Sequence, residues 1–372
     1  MVDLVLYGSI FGAICWWVLM LLPWRPWSTR EQIEPNASIN HNKTLDNITV
    51  LIPARNEGSY IQHTLDNVKA QGSGLRIIVV DDQSTDDTAE QARRLGVRVI
   101  LGETLPVGWS GKLWALEQGL QEINTAYTLL LDADIELAPG IVATLQHKAH
   151  QENLAFVSLM AEPSMRSFVE RLLMPAFILF FKLLYPFGLA NKPTSRVAAA
   201  AGGCILVETK ALRSAGAFAS LHDALIDDCT LAARIKRMGL RTWIGLSHAV
   251  RSHRSYKTLA PIWDMVARTA YTQLNYSLVL LSICTIIMMA MFWFAPLMLL
   301  IKPIEDVYIV GVLVWVAMLF AYTPTLFYYR RSPLWVFTLP IIGTLYLAMT
   351  WTSAVRYWRG ERASWKNRQY ES

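Results

Sequence analysis

Two aspartates one residue apart, Asp132 and Asp134, follow the apolar run Leu129-Leu130-Leu131. Carboxylates spaced i and i+2 at the end of a buried strand can share a divalent cation whose other ligands are diphosphate oxygens. Paired aspartates also form turns, but a turn does not need three leucines to aim it. A second pair, Asp227-Asp228, opens a helical run. Either carboxylate could take a proton from a hydroxyl, and simple support of a helix start is the competing reading. Pro53-Ala54-Arg55-Asn56-Glu57 and Asp81-Asp82-Gln83-Ser84-Thr85-Asp86-Asp87 come earlier. Acidic groups there can accept a hydrogen bond from a base imide or a sugar hydroxyl, and nearby helix N-termini favour anions. Capping of the next helix by Ser84, Thr85 and the aspartates competes with that use. Ala198 to Ala201 with Gly202-Gly203 is a small-residue stretch that permits close backbone approach.

The elements that must position these groups alternate short β-branched runs with helical stretches between about Asn47 and Leu246. That alternation argues for an α/β domain with a largely parallel sheet. The pattern predicts strands at Ile48–Ile52, Leu75–Val80, Val97–Leu101, Tyr127–Leu131 and Leu154–Met160, and helices at Gly58–Lys69, Thr85–Arg94, Lys112–Glu122 and Pro139–His150. Ligands of such sheets sit beyond the carboxyl ends of strands. The Pro53, Asp81 and Asp132 motifs all fall there.

The 372 residues are 53% hydrophobic and 17% charged, which excludes a disordered or purely nucleic-acid-binding chain. A net charge of +5 suits anionic lipid or phosphate without identifying a partner. Cys15, Cys204, Cys229 and Cys284 show no CxxC spacing, so neither a disulfide framework nor a zinc site is expected, and the compartment is reducing. Charge-free runs at Leu4–Trp24, Thr269–Ile301, Val307–Tyr329 and Ser332–Val355 predict four spans, the first a retained anchor rather than a cleaved signal. Lys302, Asp306 and Arg330-Arg331 divide the last three. Four spans would leave the tail basics Arg356, Arg359, Arg362, Lys366 and Arg368 on the wrong side for the positive-inside rule. The segment interrupted by Pro340 and Gly343 is therefore expected to be re-entrant or interfacial. Phe168–Ala190 carries Glu170, Arg171 and Lys182 with Pro175 and Pro186, and reads as an amphipathic helix in the interface, with a buried core helix as the alternative. The expected organisation is an anchor over 1–25, a linker over 26–46, a catalytic domain over 47–262 that includes this helix, a membrane domain over 263–357 and a basic tail over 358–372.

Taken in order, Pro53 to Glu57, Asp81 to Asp86, Gly111-Lys112 with Ala115-Leu116, Asp132-Ala133-Asp134, Gly202-Gly203 and Asp227-Asp228 resemble the family 2 glycosyltransferases with a GT-A fold. Pro106-Val107-Gly108-Trp109-Ser110-Gly111-Lys112-Leu113-Trp114-Ala115 and Trp365-Lys366-Asn367-Arg368 look most like the hopanoid-associated membrane members. The resemblance implies inverting transfer of one sugar from a nucleotide sugar, a UDP-sugar, to a membrane lipid such as a hopanoid. It also implies a divalent cation (Mg or Mn), contact with the lipid bilayer, no nucleic-acid partner, and a place in the inner (cytoplasmic) membrane with the catalytic domain in the cytoplasm. By the same resemblance, Pro53, Arg55, Glu57, Asp81 and Asp82 hold base and ribose, and Lys112, Gly202 and Gly203 lie at the donor. Asp132 contacts ribose or metal, Asp134 ligates the metal, and Asp228 is the base, with Asp227 standing where relatives carry Glu. Processive members carry Gln-x-x-Arg-Trp, of which Met265-Val266-Ala267-Arg268-Thr269 keeps only Arg268. Arg268 either neutralises the diphosphate or snorkels to headgroups. His248 and His253 are candidates for a third metal ligand, with surface histidine the simpler reading. A polyprenyl-phosphate or polysaccharide glycosyltransferase, and a non-catalytic nucleotide-sugar-binding scaffold, are the alternatives. Intact Asp132, Asp134 and Asp228 speak against the scaffold.

Overall fold

The computed structural model describes residues 2–36, 44–222, 226–294, 296, 305–361, 364–365 and 368–369. Lys302, Arg362, Lys366 and Asn367, which entered the span and tail readings, lie outside them, as do positions 37–43 of the expected linker. The chain divides into two compact units, one of Met1–Arg30, Met165–Gly188 and Tyr256–Arg362, the other of Glu31–Ser164, Leu189–Ser255 and Ala363–Ser372.

The second unit is built on eight strands: β1 (Ile48–Ala54), β2 (Arg76–Asp81), β3 (Arg98–Leu101), β4 (Tyr127–Leu131), β5 (Ile135–Leu137), β6 (Phe156–Glu162), β7 (Cys204–Glu208) and β8 (Thr242–Ser252). They form one sheet in the order β3-β2-β1-β4-β7-β6-β8-β5. Pairing is parallel for β1 with β2 and β4, β2 with β3, and β6 with β8. It is antiparallel for β7 with β4 and β6 and for β5 with β8. The sheet is thus more mixed than the sequence reading expects, because β7 runs against both its neighbours.

The helices of both units, in chain order, begin with α1 (Val2–Leu21), α2 (Ile61–Lys69), α3 (Thr88–Arg94), α4 (Gly111–Gln121) and α5 (Ile141–Glu152). They continue with α6 (Phe168–Leu184), α7 (Phe187–Ala190), α8 (Thr209–Ser214), α9 (Asp227–Arg237), α10 (Leu259–Ala267) and α11 (Leu278–Met289). Strand alternation feeds two cores. Val50 and Ile52 of β1 join Ile61, Leu65 and Val68 of α2 on one face, while Leu51 joins Leu113, Leu116 and Leu120 of α4 on the other. All seven residues of β1 are buried, as a strand covered by helices on both faces must be. The close seat of α4 depends on Gly119, where a Cβ would stand 2.3 Å from Leu51 Cδ1 and 2.8 Å from Val80 Cγ2.

In the first unit, the helices Tyr308–Tyr328 and Pro333–Trp358 are long and apolar enough to cross a membrane. Leu259–Leu274 and Leu278–Phe294 would make a third span if taken together, but they meet at 114°. The break therefore falls in the first of the three C-terminal runs, and the stretch holding Pro340 and Gly343 is continuous helix. Pro340 sits at the start of its helix, where a missing N–H is tolerated. Helix Leu6–Leu21 is apolar but shorter.

Of the three charges in α6, Arg171 is exposed. Glu170 and Lys182 are both buried. Glu170 closes a capping box with Ser167 and also accepts from the backbone N–H of Arg166 and Tyr256. Lys182 donates to Ser28 O. Phe180 meets Tyr346 edge-on at 4.9 Å, and the Tyr346 hydroxyl donates to Leu173 O. One side of α6 is thus held by internal hydrogen bonds through Glu170 and Lys182, while Phe168, Arg171 and Leu184 are exposed on the other.

Candidate active site

Strand ends bring the chemistry together in the sheet unit. Asp132 leaves β4 with its N–H bonded to Gly203 O at 3.1 Å, which ties the aspartate loop to the glycines preceding β7. Ser110 caps α4 by accepting from Leu113 N, so Lys112 stands in the first turn and reaches Asp132, Nζ to Oδ1 2.7 Å. Asp227 and Asp228 occupy the first turn of α9, whose last turn carries Arg234, Lys236 and Arg237, a charge order matched to the helix dipole. The Cys229 thiol donates to Ala200 O and holds α9 against the small-residue stretch. At Gly202 an added Cβ would lie 3.4 Å from Asp228 Oδ2 and 3.5 Å from Lys112 Nζ, so both groups stand over this glycine.

The result is one cleft. Lys112, Asp132, Asp227 and Asp228 supply its polar wall, and Leu116, Phe218 and Leu221 are among its apolar lining. Burial pushes the Asp228 carboxyl up to about 7, with repulsion from Asp227 adding and Lys112 opposing. Burial also raises Asp132, outweighing the pull of Lys112, and Asp134 adds to the rise. Burial disfavours the Lys112 ammonium, yet Asp132 and Asp227 hold it well above the ordinary lysine range. The Asp228 proton is therefore poised near neutrality.

Asp134 is mostly buried, and its Oδ2 accepts from Arg254 Nε at 2.9 Å and Ser252 Oγ at 3.2 Å. Arg254 also reaches Glu57 Oε1 at 2.9 Å. Carboxylates are hard oxygen donors of the kind Mg²⁺ or Mn²⁺ takes, and here Asp132 and Asp134 each face a side-chain cation, Lys112 and Arg254.

The remaining candidates divide. Arg55 donates to Asp82 O and lies 3.7 Å from its carboxylate, and both Asp81 and Asp82 are buried. Asp81 Oδ2 accepts from Ser84 N. Asp86 accepts from the N–H of Gly58 and Thr88 and from the Thr88 hydroxyl. Burial would raise the Asp86 carboxyl, but these bonds bring it below its usual range. The capping reading thus describes Asp86, while Asp81 and Asp82 close the β1 and β2 ends, and Pro53 lines the cleft. Arg268 is the exposed C-cap of α10 in the other unit. His248 pairs with Glu162 at 3.3 Å, and His253 with Glu136 at 3.2 Å, so neither histidine faces the Asp132 carboxylate. Sequence reasoning missed Arg254. A cation directly after a run of strand residues was the one available signal.

Residues 49–216 match the description "Glycosyl transferase family 2". The 4,4'-diaponeurosporenoate glycosyltransferase of Staphylococcus haemolyticus (strain JCSC1435) is 32% identical over 121 residues, 32% of each chain. Its counterpart in Staphylococcus aureus (strain USA300) is 37% identical over 89 residues, 24% of each. The chain thus spans about a third or less of the curated relatives it matches. Among solved structures, a mannosyltransferase from Pyrobaculum calidifontis in complex with GDP-Man and Mn²⁺ superposes with a TM-score of 0.58 at 16% identity, covering 96% of this chain and 100% of that one. The likeness shows the fold, which is the expected GT-A fold.

Proposed function

We propose, from the match of residues 49–216 to the glycosyl transferase family 2 model, that the chain is an inverting, metal-dependent glycosyltransferase moving one sugar from a nucleotide sugar to a membrane lipid. The observation that carries this reading is the Lys112 cleft, in which one cation faces Asp132 and the Asp227-Asp228 pair. Asp228 acts as general base: its carboxyl titrates close to neutrality, so its anion accepts the acceptor hydroxyl's proton without being too weak a base. Lys112 offsets charge on the leaving nucleoside diphosphate. Asp132 and Asp134 would hold Mg²⁺ or Mn²⁺, which when bound neutralises further diphosphate charge.

The donor is a nucleotide sugar, read as a UDP-sugar. An apolar acceptor is supported by the spans Tyr308–Tyr328 and Pro333–Trp358, since such a lipid leaves the bilayer only at a large hydrophobic penalty. The diaponeurosporenoate enzymes among the relatives fit an acceptor of that kind. A hopanoid is the candidate drawn from Pro106 to Ala115. The protein is placed in the cytoplasmic membrane with the sheet unit in the cytoplasm. The test is transfer from labelled nucleotide sugars into the lipid extract of membranes holding the protein, with and without Mn²⁺ or Mg²⁺. Asp228→Asn should lower turnover by roughly 10²–10⁴-fold while donor binding persists; an Asp228→Asn protein as active as the parent would sink the assignment.

A further inference from the structure

We propose that His63, Glu136 and His253 form a second cation site, separate from Asp132 and Asp134 and selective for a zinc-class ion. Their ligand atoms all lie within 4.8 Å of one another. Glu136 Oε2 stands 3.2 Å from His253 Nε2 and 4.0 Å from His63 Nε2, and the two rings meet edge-on at 4.3 Å between centroids. Ligands at about 2.05 Å around a tetrahedral zinc sit roughly 3.3 Å apart, so closure shortens the widest separation by at most about 1.5 Å.

Three elements converge on this point, and each is fixed by its own hydrogen bonds. His63 belongs to α2, where the neighbouring Thr64 hydroxyl is buried and donates to Ala133 O at 2.8 Å. Two turns on, the buried Gln71 amide donates to Leu137 O and Ala138 O at 3.1 Å, so α2 is pinned to the chain on both sides of Glu136. His253 N–H donates to Asp134 O at 2.8 Å, which sets its ring beside β5. The ligands are therefore held by a frame that does not depend on the ion.

The donor set decides the ion. Two imidazoles and one carboxylate suit zinc and its neighbours, whereas oxygen-only sites suit magnesium. Three protein ligands leave a fourth position for water, and the His63 side chain, 55% exposed, leaves that approach open. Because His253 precedes Arg254, which holds Asp134 and Glu57, an ion here fastens α2, β5 and the end of β8 beside the active site.

Cobalt(II) titration of the full-length protein in detergent, with excess Mg²⁺ present, tests this without reference to turnover. The expected result is one equivalent of tetrahedral cobalt, seen by its visible absorption and displaced by Zn²⁺. His63→Ala and Glu136→Gln should each weaken it by roughly 100-fold or more, since even outer-shell partners of a metal are worth about 10–100-fold. Both variants keep the buried frame, and circular dichroism checks their fold. Absence of the tetrahedral spectrum in the parent, or its survival unchanged in both variants, overturns the site.

Discussion

Removing the charge of Lys112 should move the pH dependence of the reaction by an amount that the cleft geometry sets. Asp228 Oδ2 and Lys112 Nζ lie 3.4 and 3.5 Å from the same point above Gly202, so they are no more than about 7 Å apart. At that separation and an effective dielectric of about 20, Coulomb's law gives about 2.4 kcal/mol, or about 1.7 pH units. Water entering the open cleft reduces this, and a shift of about one to two units is expected. The direction is fixed. The cation favours the carboxylate, so Lys112→Met raises the Asp228 carboxyl further above the value near 7 to which burial has already brought it. The base is then available only at higher pH. The assay is kcat/KM for the nucleotide-sugar donor across pH, which reports the free enzyme. The parent should lose activity as pH falls through about 7, Lys112→Met should lose it one to two units higher, and Lys112→Arg should stay near the parent. An acid limb that stays put in Lys112→Met, in a protein that still melts cooperatively, would refute the coupling of this lysine to the base.

Two further outcomes concern the framework. Gly119→Val should destabilise the protein by about 1–3 kcal/mol in denaturant unfolding, because its side chain must displace Leu51 and Val80 between α4 and the sheet; unchanged stability would mean the contact is slack. If the bent pair Leu259–Leu274 and Leu278–Phe294 re-enters rather than crosses, two crossings follow the sheet unit and return Arg356 and Arg359 to its side, as the positive-inside rule favours. A C-terminal tag should then be shielded from protease in intact cells and cleaved in inverted vesicles; the reverse pattern would make the pair a full span.

Much of this was written locally in the sequence. β1, β2 and β4 each bury an apolar run and end in a turn, and the first aspartate pair announces itself by the leucines before it. What the sequence hid is what depends on partners distant in the chain. β7 is five residues entered from a small-residue stretch, and only its antiparallel neighbours β4 and β6 make it a strand. β8 is interrupted by Gly245, which breaks the period-two pattern. Arg254 meets Asp134 across 120 positions because β5 pairs with β8, and no spacing rule carries that register. The burial of two α6 charges was hidden for a related reason: Glu170 and Lys182 look polar in sequence, while their partners at Tyr256 and Ser28 become visible only when the chain is folded.

The two ends of the sheet differ in how they are finished. β3, four residues long, closes one side, with Arg98 held by Glu122. On the other side β8, at eleven residues the longest strand, is sealed along its outward backbone by unrelated pieces of chain. The Asn191 amide bonds both N–H and C=O of Ile244. Glu31 and Ile33 bracket Leu246, Glu34 accepts from His248 N–H, and β5 takes the remainder. The stretch read as a linker is thus in part a seam. Strands with open edges recruit other strands, and an eight-stranded sheet without such covers would be a template for aggregation during synthesis. Among the described residues, the long edge of this one is spoken for, so deleting 31–34 should show itself first as insoluble protein rather than as slow enzyme.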